Sequence, residues 1–134
     1  MNVHLNRRYH FSASHRLNNP EMTNEQNGAC YGKCNNPHGH GHNYTIEITL
    51  SGTIDPVTGM ICNLGELDPL MEREIVQRFD EADLNSDPWF LQTIPTTEAL
   101  CERIFAHVST QLSSARLERV RVEETANNAF EITR

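Results

Sequence analysis

Lysine is almost absent from this chain of 134 residues, in which Lys33 is the only lysine among eleven Lys and Arg side chains. Eighteen Asp and Glu residues outnumber these basic residues and give a formal net charge of −7. A protein that binds nucleic acid through its general surface charge is basic, because it has to neutralise phosphates. The composition therefore argues against a nucleic-acid partner.

Long apolar runs are also missing. No segment approaches the roughly 20 apolar residues that span a bilayer, and the first residues lack the apolar core of a signal peptide. We expect a cytoplasmic protein with no membrane partner, folded as a single domain over residues 1–134. Its four cysteines are then expected to be free thiols, a nucleophile or metal ligands rather than a disulfide framework.

Apolar periodicity places strands towards both ends of the chain and helices between them. Alternation predicts strands over 7–13, 40–52, 117–124 and 129–133, and a turn at 55–59 followed by a strand at 60–63 predicts a hairpin. Asp68 and Pro69 have the residue types of an N-cap and a first helical position, so a helix is predicted from there to Phe79. A second helix is predicted from Glu98 to about Leu112.

The segment 18–39 has no periodicity and is predicted to be a long loop, of the kind that is often functional. Strands joined by hairpins, with the helices grouped together, are typical of α+β folds. We therefore predict an antiparallel sheet with two helices packed on one face.

Three histidines have the spacing of a metal site. His40 and His42 are two residues apart, so a strand places both imidazoles on one face, about 7 Å apart along the backbone. His15, just past the first predicted strand, is the obvious third ligand. Three neutral imidazoles suit Zn²⁺ and leave a fourth position open for a substrate oxygen. Two alternatives stay open: a mobile polar loop, or a closed structural site in which Cys30 and Cys34 join two histidines.

Cys34 lies in the same polar segment, six residues before His40. A nearby Zn²⁺ or imidazolium would lower the pKa of its thiol and favour the thiolate. A thiolate at this position suits a nucleophile or a base that abstracts a proton.

Glu124 continues the apolar face formed by Val120 and Val122, so we expect it to point inward or into an interface. A buried carboxylate needs a hydrogen-bond donor. It can hold a planar, amidine-like group of a ligand through two hydrogen bonds. The alternative is an ion pair with Arg119 or Arg121.

Six short motifs share their order and spacing with one enzyme family and together cover nearly the whole chain. They are Phe11-Ser-Ala-Ser-His15-Arg-Leu, Gly32-Lys-Cys34-Asn-Asn-Pro, Gly39-His40-Gly41-His42-Asn-Tyr, Ile54-Asp-Pro-Val-Thr-Gly-Met60, Thr96-Thr97-Glu98 and Val122-Glu-Glu124-Thr-Ala-Asn-Asn. The chain resembles the 6-pyruvoyltetrahydropterin synthases, a family that includes the bacterial 6-carboxytetrahydropterin synthases. The Cys-Asn-Asn-Pro motif is more similar to the pyruvoyl branch than to the queuosine-pathway branch.

The resemblance implies a T-fold, which is a four-stranded antiparallel sheet with two helices on one face, assembled through trimers into a hexamer. It implies Zn²⁺ on His15, His40 and His42. It also implies that Glu124 anchors the pterin ring, with Thr97 and Glu98 nearby.

The implied reaction is that of a lyase on 7,8-dihydroneopterin triphosphate. In the pyruvoyl branch the substrate loses triphosphate and undergoes internal redox transfer, and in the carboxy branch it loses acetaldehyde. Cys34 would be the base that moves protons on the substrate side chain, while Zn²⁺ acidifies the neighbouring groups.

One departure from the family concerns the proton relay. The family has Asp-His after the first helix, whereas this chain has Asp80 followed by Glu81. A carboxylate has an ordinary pKa about two units below that of histidine, so Glu81 could replace it only if burial raised its pKa. The departure leaves open a pterin aldolase or epimerase and a non-catalytic pterin-binding protein. His38 is another local candidate, to which the family gives no such role.

Overall fold

The computed structural model describes all residues, Met1–Arg134, and has the α+β architecture that the sequence predicts. Its strands are β1 (Val3–His15), β2 (His40–Gly52), β3 (Ala82–Asp83), β4 (Arg116–Thr125) and β5 (Asn128–Thr133). Its helices are α1 (Asn24–Tyr31), α2 (Leu64–Met71), α3 (Gln77–Phe79) and α4 (Thr97–Gln111), and the π-helical turn Glu72–Val76 joins α2 to α3. None of these helices has the length and apolar character needed to cross a bilayer.

The sheet has the order β3-β1-β2-β4-β5 and is mixed, so the prediction of four antiparallel strands was wrong in this detail. The four long strands pair antiparallel, as predicted. The fifth strand, β3, was not predicted and pairs parallel with Ala13 and Ser14 of β1. Two hydrogen bonds hold the segment just before β3 against β1. The Ser12 amide donates to Oδ1 of Asp80 at 2.9 Å, and the Glu81 amide donates to the Ser12 carbonyl at 2.6 Å.

The core lies between one face of the sheet and the helical segments 64–79 and α4. Alternate residues of the long strands point to this face, and each fully buried aliphatic side chain contributes about 1.5–3 kcal/mol. The other face is polar, and there Glu47 accepts hydrogen bonds from Arg8 and Arg119. Fully buried members of the core include Tyr44, Ile46, Ile48, Leu50, Met71, Ile75, Phe79, Leu84, Leu100, Ile104 and Leu117.

The first long helix begins before the predicted N-cap at Asp68. It starts at Leu64, because the side chain of Asn63 accepts a hydrogen bond from the second helical amide at 2.9 Å. Asp68 does not cap the helix. Its carboxylate instead accepts two hydrogen bonds from Arg7, at 3.0 and 2.6 Å, and one from the Tyr9 hydroxyl at 2.7 Å, which ties α2 to β1.

The hairpin predicted at 60–63 is also wrong, because this segment forms no strand. Asp55 closes the preceding turn through its side chain, which accepts from the Val57 amide at 2.7 Å. The backbone of Asp55 pairs with the carbonyl of Met60 at 3.0 Å. Soon after Met60 the chain reaches Asn63, which caps α2, so the segment between them is too short to form a second strand.

The segment predicted to be a loop contains a helix, α1. Thr23 begins it with a capping box, in which the Thr23 hydroxyl accepts from the Gln26 amide at 3.1 Å and the Gln26 side chain accepts from the Thr23 amide at 2.9 Å. Only Asn27 of this helix is buried. It therefore carries no apolar stripe that periodicity could detect.

Candidate active site

The three predicted histidines meet where β1 ends and β2 begins. His15 pairs directly with His40 across the two strands, and Ala13 pairs with His42, so all three imidazoles lie on the helix-facing side of the sheet. The Nε2 atom of His40 lies 3.2 Å from Nε2 of His15 and 3.2 Å from Nε2 of His42. His40 and His42 therefore begin a strand and do not form a mobile loop.

These separations fit a bound metal ion. Tetrahedral Zn²⁺ with Zn–N bonds of 2.0–2.1 Å places its ligand nitrogens about 3.4 Å apart. Nδ1 of His15 donates to the carbonyl of Pro95 at 2.8 Å, which leaves the lone pair of Nε2 directed at the other two rings. Burial lowers the pKa of His40 and His42, so both rings are neutral, which is the form that binds metal. The three residues can hold a metal ion.

Gly39 permits the close approach of the two strands at this point. Its backbone has a φ of 72°, and a Cβ atom added there would lie 3.0 Å from the carbonyl oxygen of His15. A larger residue would meet backbone rather than a flexible side chain, in a region of φ that L-residues rarely adopt. The turn into His40 therefore needs glycine.

Cys34 reaches the site from the short 3-10 turn Gly32–Asn35 that follows α1. The Leu17 amide donates to the Cys34 carbonyl at 2.8 Å, and the Asn35 side chain donates to the Leu17 carbonyl at 2.8 Å. The sulfur of Cys34 and ligand nitrogens of His15 and His40 lie within 4.8 Å of one another. Cys34 thus lies beside two of the three imidazoles.

The side chains around Cys34 act on the protonation of its thiol. Burial, and then the charge of Glu124, raise the pKa of its thiol. The predicted lowering of the Cys34 pKa depends on a nearby positive charge such as a bound cation, so it stays a prediction.

Glu124 points inward at the end of β4, as its position on the apolar face predicts, and its side chain is only 15% exposed. Oε2 accepts a hydrogen bond from the Thr97 hydroxyl, and Oε1 lies 3.8 Å from Nε2 of His42. The alternative ion pair with Arg119 does not form, because that guanidinium binds Glu47 and Glu131.

Thr97 and Glu98 are neighbours in sequence but have different environments. Thr97 is the buried first residue of α4, and Thr96 caps that helix by accepting from the Ala99 amide at 3.1 Å. Glu98 is exposed, and it lines a groove together with Phe130. The structure therefore brings Thr97 to Glu124 but leaves Glu98 at the surface, where an acidic residue in the first turn favours the helix.

Asp80 and Glu81 are exposed, so the burial proposed for Glu81 is absent. Glu81 lines an open groove of about 500 Å³ at the β3 edge of the sheet, together with Ser12, Ser14, His42 and Asn43. The two acidic residues thus lie at the edge of the sheet beside β1, and neither forms a hydrogen bond to Cys34.

Cys30 and His38 are exposed, and neither belongs to a group of side chains that could hold a metal ion together. The closed structural site with Cys30 is therefore not formed. One further residue was missed from the sequence: Tyr44, which follows His42 on the same face of β2, is buried beside the histidines. The alternation that places His40 and His42 on one face of the strand also places Tyr44 there, and this pattern could have identified it.

The sheet with its helices on one face, together with three converging imidazoles, a thiol and an inward carboxylate, defines an α+β protein with a candidate metal-dependent active site. The family model described as 6-pyruvoyl tetrahydropterin synthase matches residues 4–134, so the chain belongs to that family.

Individual relatives agree with this assignment. The Homo sapiens protein named 6-pyruvoyl tetrahydrobiopterin synthase is 44% identical over 125 residues, which cover 92% of this chain and 86% of that protein. The solved structure of Caenorhabditis elegans 6-pyruvoyl tetrahydropterin synthase has a TM-score of 0.90 and 33% identity, covering 100% of this chain and 96% of that one. A Bacillus subtilis protein named 6-carboxy-5,6,7,8-tetrahydropterin synthase is more distant, at 30% identity over 82% of this chain and 68% of its own length.

Proposed function

We propose that this chain is a zinc-dependent lyase that converts 7,8-dihydroneopterin triphosphate to 6-pyruvoyltetrahydropterin with loss of triphosphate. The observation that carries the proposal is the meeting of the His15, His40 and His42 nitrogens beside the Cys34 thiol and the Glu124 carboxylate. The greater similarity of the chain to pyruvoyl than to carboxy synthases favours the pyruvoyl product. We further propose, on the family resemblance, a cytoplasmic hexamer.

Each residue of the site has a separate task. Glu124 accepts two hydrogen bonds from the amino-pyrimidine edge of the pterin, a charge-assisted pairing that fixes the ring in one orientation. The Thr97 hydroxyl, bonded to Oε2, holds the carboxylate in place. Zn²⁺, when held by the three imidazoles, supplies Lewis-acid polarisation of the side-chain hydroxyls. Cys34, half-buried beside those imidazoles, takes up and returns the protons of the substrate side chain.

In this proposal the relay beyond Cys34 uses a second copy of the chain. Asp80 and Glu81 lie at the exposed edge of the sheet and form no hydrogen bond to Cys34, so in the proposed hexamer a neighbouring protomer brings them to the thiol. The exposed position of Glu81 favours one further candidate, a pterin-binding protein that lacks full synthase turnover. Glu98 can contact the pterin, as proposed, only if ligand binding changes the conformation at the start of α4.

Incubation with 7,8-dihydroneopterin triphosphate and separation of the pterin products tests the proposal. We expect 6-pyruvoyltetrahydropterin and free triphosphate, and a loss of at least about 100-fold in turnover for Cys34→Ala. Cys30→Ala is the matched control and keeps its activity, because Cys30 is exposed and outside the site. Carboxy product with acetaldehyde would move the chain to the other branch. Bound but unchanged substrate would leave only a pterin-binding function.

A further inference from the structure

The Glu124 carboxylate lies close enough to the imidazoles to join them on a metal ion. Its Oε1 atom is 3.8 Å from Nε2 of His42, and the ligand atoms of Glu124, His42 and His15 all lie within 4.8 Å of one another. Carboxylate oxygens bind Zn²⁺ at nearly the same distance as imidazole nitrogens, and tetrahedral ligands are then about 3.4 Å apart. A shift of about 1 Å therefore brings Oε1 to a ligand position.

Thr97 orients this carboxylate towards the imidazoles. It is the buried first residue of α4, and its hydroxyl donates to Oε2 of Glu124. Oε1 accepts only from the side-chain amide of Asn128, at 3.4 Å, so it keeps a lone pair for a cation. Carboxylates that bind metal are themselves held by hydrogen bonds of this kind.

The charge of Glu124 has no basic partner in the chain. Its one ion-pair contact is with His42, and an imidazole that binds metal is neutral. A largely buried carboxylate without an opposite charge is costly. A divalent cation held by the imidazoles supplies that charge, and coordination gives Oε1 a strong partner.

Cys34 is the competing donor, because its sulfur lies within 4.8 Å of ligand nitrogens of His15 and His40. Two differences favour Glu124. A carboxylate is already ionised at neutral pH, whereas a thiol has to lose a proton before it binds metal. Thr97 also orients Glu124, whereas the thiols that donate hydrogen bonds are those of Cys62 and Cys101.

We propose that Glu124 is the fourth protein ligand of the metal ion while the pterin pocket is empty, and that the pterin ring displaces it. A site with four protein ligands is closed, whereas a site with three keeps a position open. When Oε1 leaves the metal to accept a hydrogen bond from the ring, that position becomes free for the substrate side chain. The displacement rests on the proposed function, in which Glu124 anchors the pterin, but the ligand role does not.

Metal binding to the pterin-free protein tests the ligand role. We expect Glu124→Gln and Glu124→Asp each to raise the Kd for Zn²⁺ at least about 10-fold, measured by competition with a chelator. Glu124→Asp keeps the charge but draws the oxygens back by one methylene, so it separates ligation from electrostatic attraction. The visible absorption of bound Co²⁺ should change in both variants, because it reports the ligand set and geometry. Thermal melting of the metal-free variants establishes that they fold.

Glu123→Gln is the matched control, since it removes the same charge one residue away and Glu123 belongs to neither group of candidate ligands. It should leave the Kd for Zn²⁺ within about 3-fold of wild type, because solvent screens a charge that does not touch the ion. Unchanged Zn²⁺ affinity and Co²⁺ absorption in Glu124→Gln, or an equal rise in Glu123→Gln, would overturn the proposal. So would a sulfur-to-cobalt charge-transfer band that disappears in Cys34→Ala, because it would identify the thiol as the fourth ligand.

The compound 7,8-dihydropterin, a ring without side-chain hydroxyls, tests the displacement. Saturating Zn²⁺ should raise its Kd roughly 5- to 10-fold, and the ring should raise the Kd for Zn²⁺ by the same factor, because such coupling is reciprocal. In Glu124→Gln the coupling should fall below about 1.5-fold. A ring Kd that Zn²⁺ lowers or leaves unchanged in wild type would refute the displacement.

These measurements use binding and not turnover. Wild-type protein that shows the coupling but leaves 7,8-dihydroneopterin triphosphate unchanged would count only against the proposed activity. Zn²⁺ binding through Glu124 with no pterin binding at all would refute the proposed function and the displacement, and it would leave the ligand role of Glu124 standing.

Discussion

The negative charge of Glu124 affects several ionisable side chains around the histidines. After burial, it raises the pKa of the Cys34 thiol. It also opposes the burial that lowers the pKa of His40 and His42. The side chains alone therefore favour neutral rings at His40 and His42 and a protonated thiol at Cys34. A cation held by the imidazoles would reverse this balance, because positive charge lowers the pKa of a nearby thiol.

Glu81 stands where the family has histidine, and its backbone conformation is also unusual. It is the one residue other than glycine with a positive φ, at 58°. Histidine is several-fold enriched in this left-handed region, so the fold should accept Glu81→His. Imidazole is also the stronger base of the two side chains. We expect Glu81→His to raise turnover of 7,8-dihydroneopterin triphosphate roughly 3- to 10-fold in a steady-state assay.

The same replacement at Glu72, an exposed residue of the π-helical turn, is the control and should leave turnover unchanged. A gain confined to Glu81→His would support a relay that a carboxylate impairs. No gain in either variant, with good wild-type turnover, would mean that Glu81 is already competent or has no part in the relay.

At the scale of secondary structure, the sequence predicts what periodicity can detect. β2 is confirmed at 40–52, and α4 and the last two strands begin and end within a residue or two of their predicted bounds. The shared face of His40 and His42 follows from the same alternation. These elements are predictable because each buries one regular face against the core.

The remaining elements depend on contacts that a periodic pattern does not contain. α1 has no apolar stripe, although its Thr23–Gln26 capping box was visible in the sequence. β3 exists because Asp80 and Glu81 bond to Ser12, far away along the chain. That pairing also places Glu81 at the edge of the sheet, which the motif alone could not show.

Asp68 shows the same dependence and gives a prediction of its own. Its hydrogen bonds to Arg7, and then to Tyr9, lower the pKa of the carboxyl. The side chains of Arg7 and Asp68 are 41% and 36% exposed, so solvent screening limits the stabilisation from this ion pair to about 1 kcal/mol or less. We expect Asp68→Asn to lower the free energy of unfolding by this amount at pH 7, measured by urea denaturation.

The difference should depend on pH in one direction. A carboxyl whose pKa is lower in the folded state stabilises the protein above its unfolded pKa, near 4, and loses this contribution as the pH falls through the folded value. The gap between wild type and Asp68→Asn should therefore close below about pH 4. Glu66→Gln, an exposed site on the same helix, controls for the loss of one charge. A gap that persists at pH 3 would show that Asp68 acts through packing instead.

For the whole molecule, the histidine cluster lies where distant parts of the chain converge. His15 ends β1, His40 and His42 begin β2, and the Nδ1 of His15 is bonded to Pro95 just before α4. An ion held by the three rings would bridge the two strands and act through His15 on the segment that leads into α4. Because an unfolded chain does not bring these residues together, metal binding should stabilise the entire fold and not only the site.

We therefore expect Zn²⁺ at 100 times its Kd to stabilise metal-free protein by about 2.7 kcal/mol, seen as a rise of roughly 10 °C in Tm by calorimetry. Because burial lowers the pKa of His40 and His42, protons compete with the metal only at lower pH, so the rise should persist below the ordinary titration range of histidine. His40→Ala should abolish the rise, while His38→Ala and Cys30→Ala, both exposed, should keep it. Loss of the rise in Cys30→Ala would instead indicate a closed structural site built on that thiol.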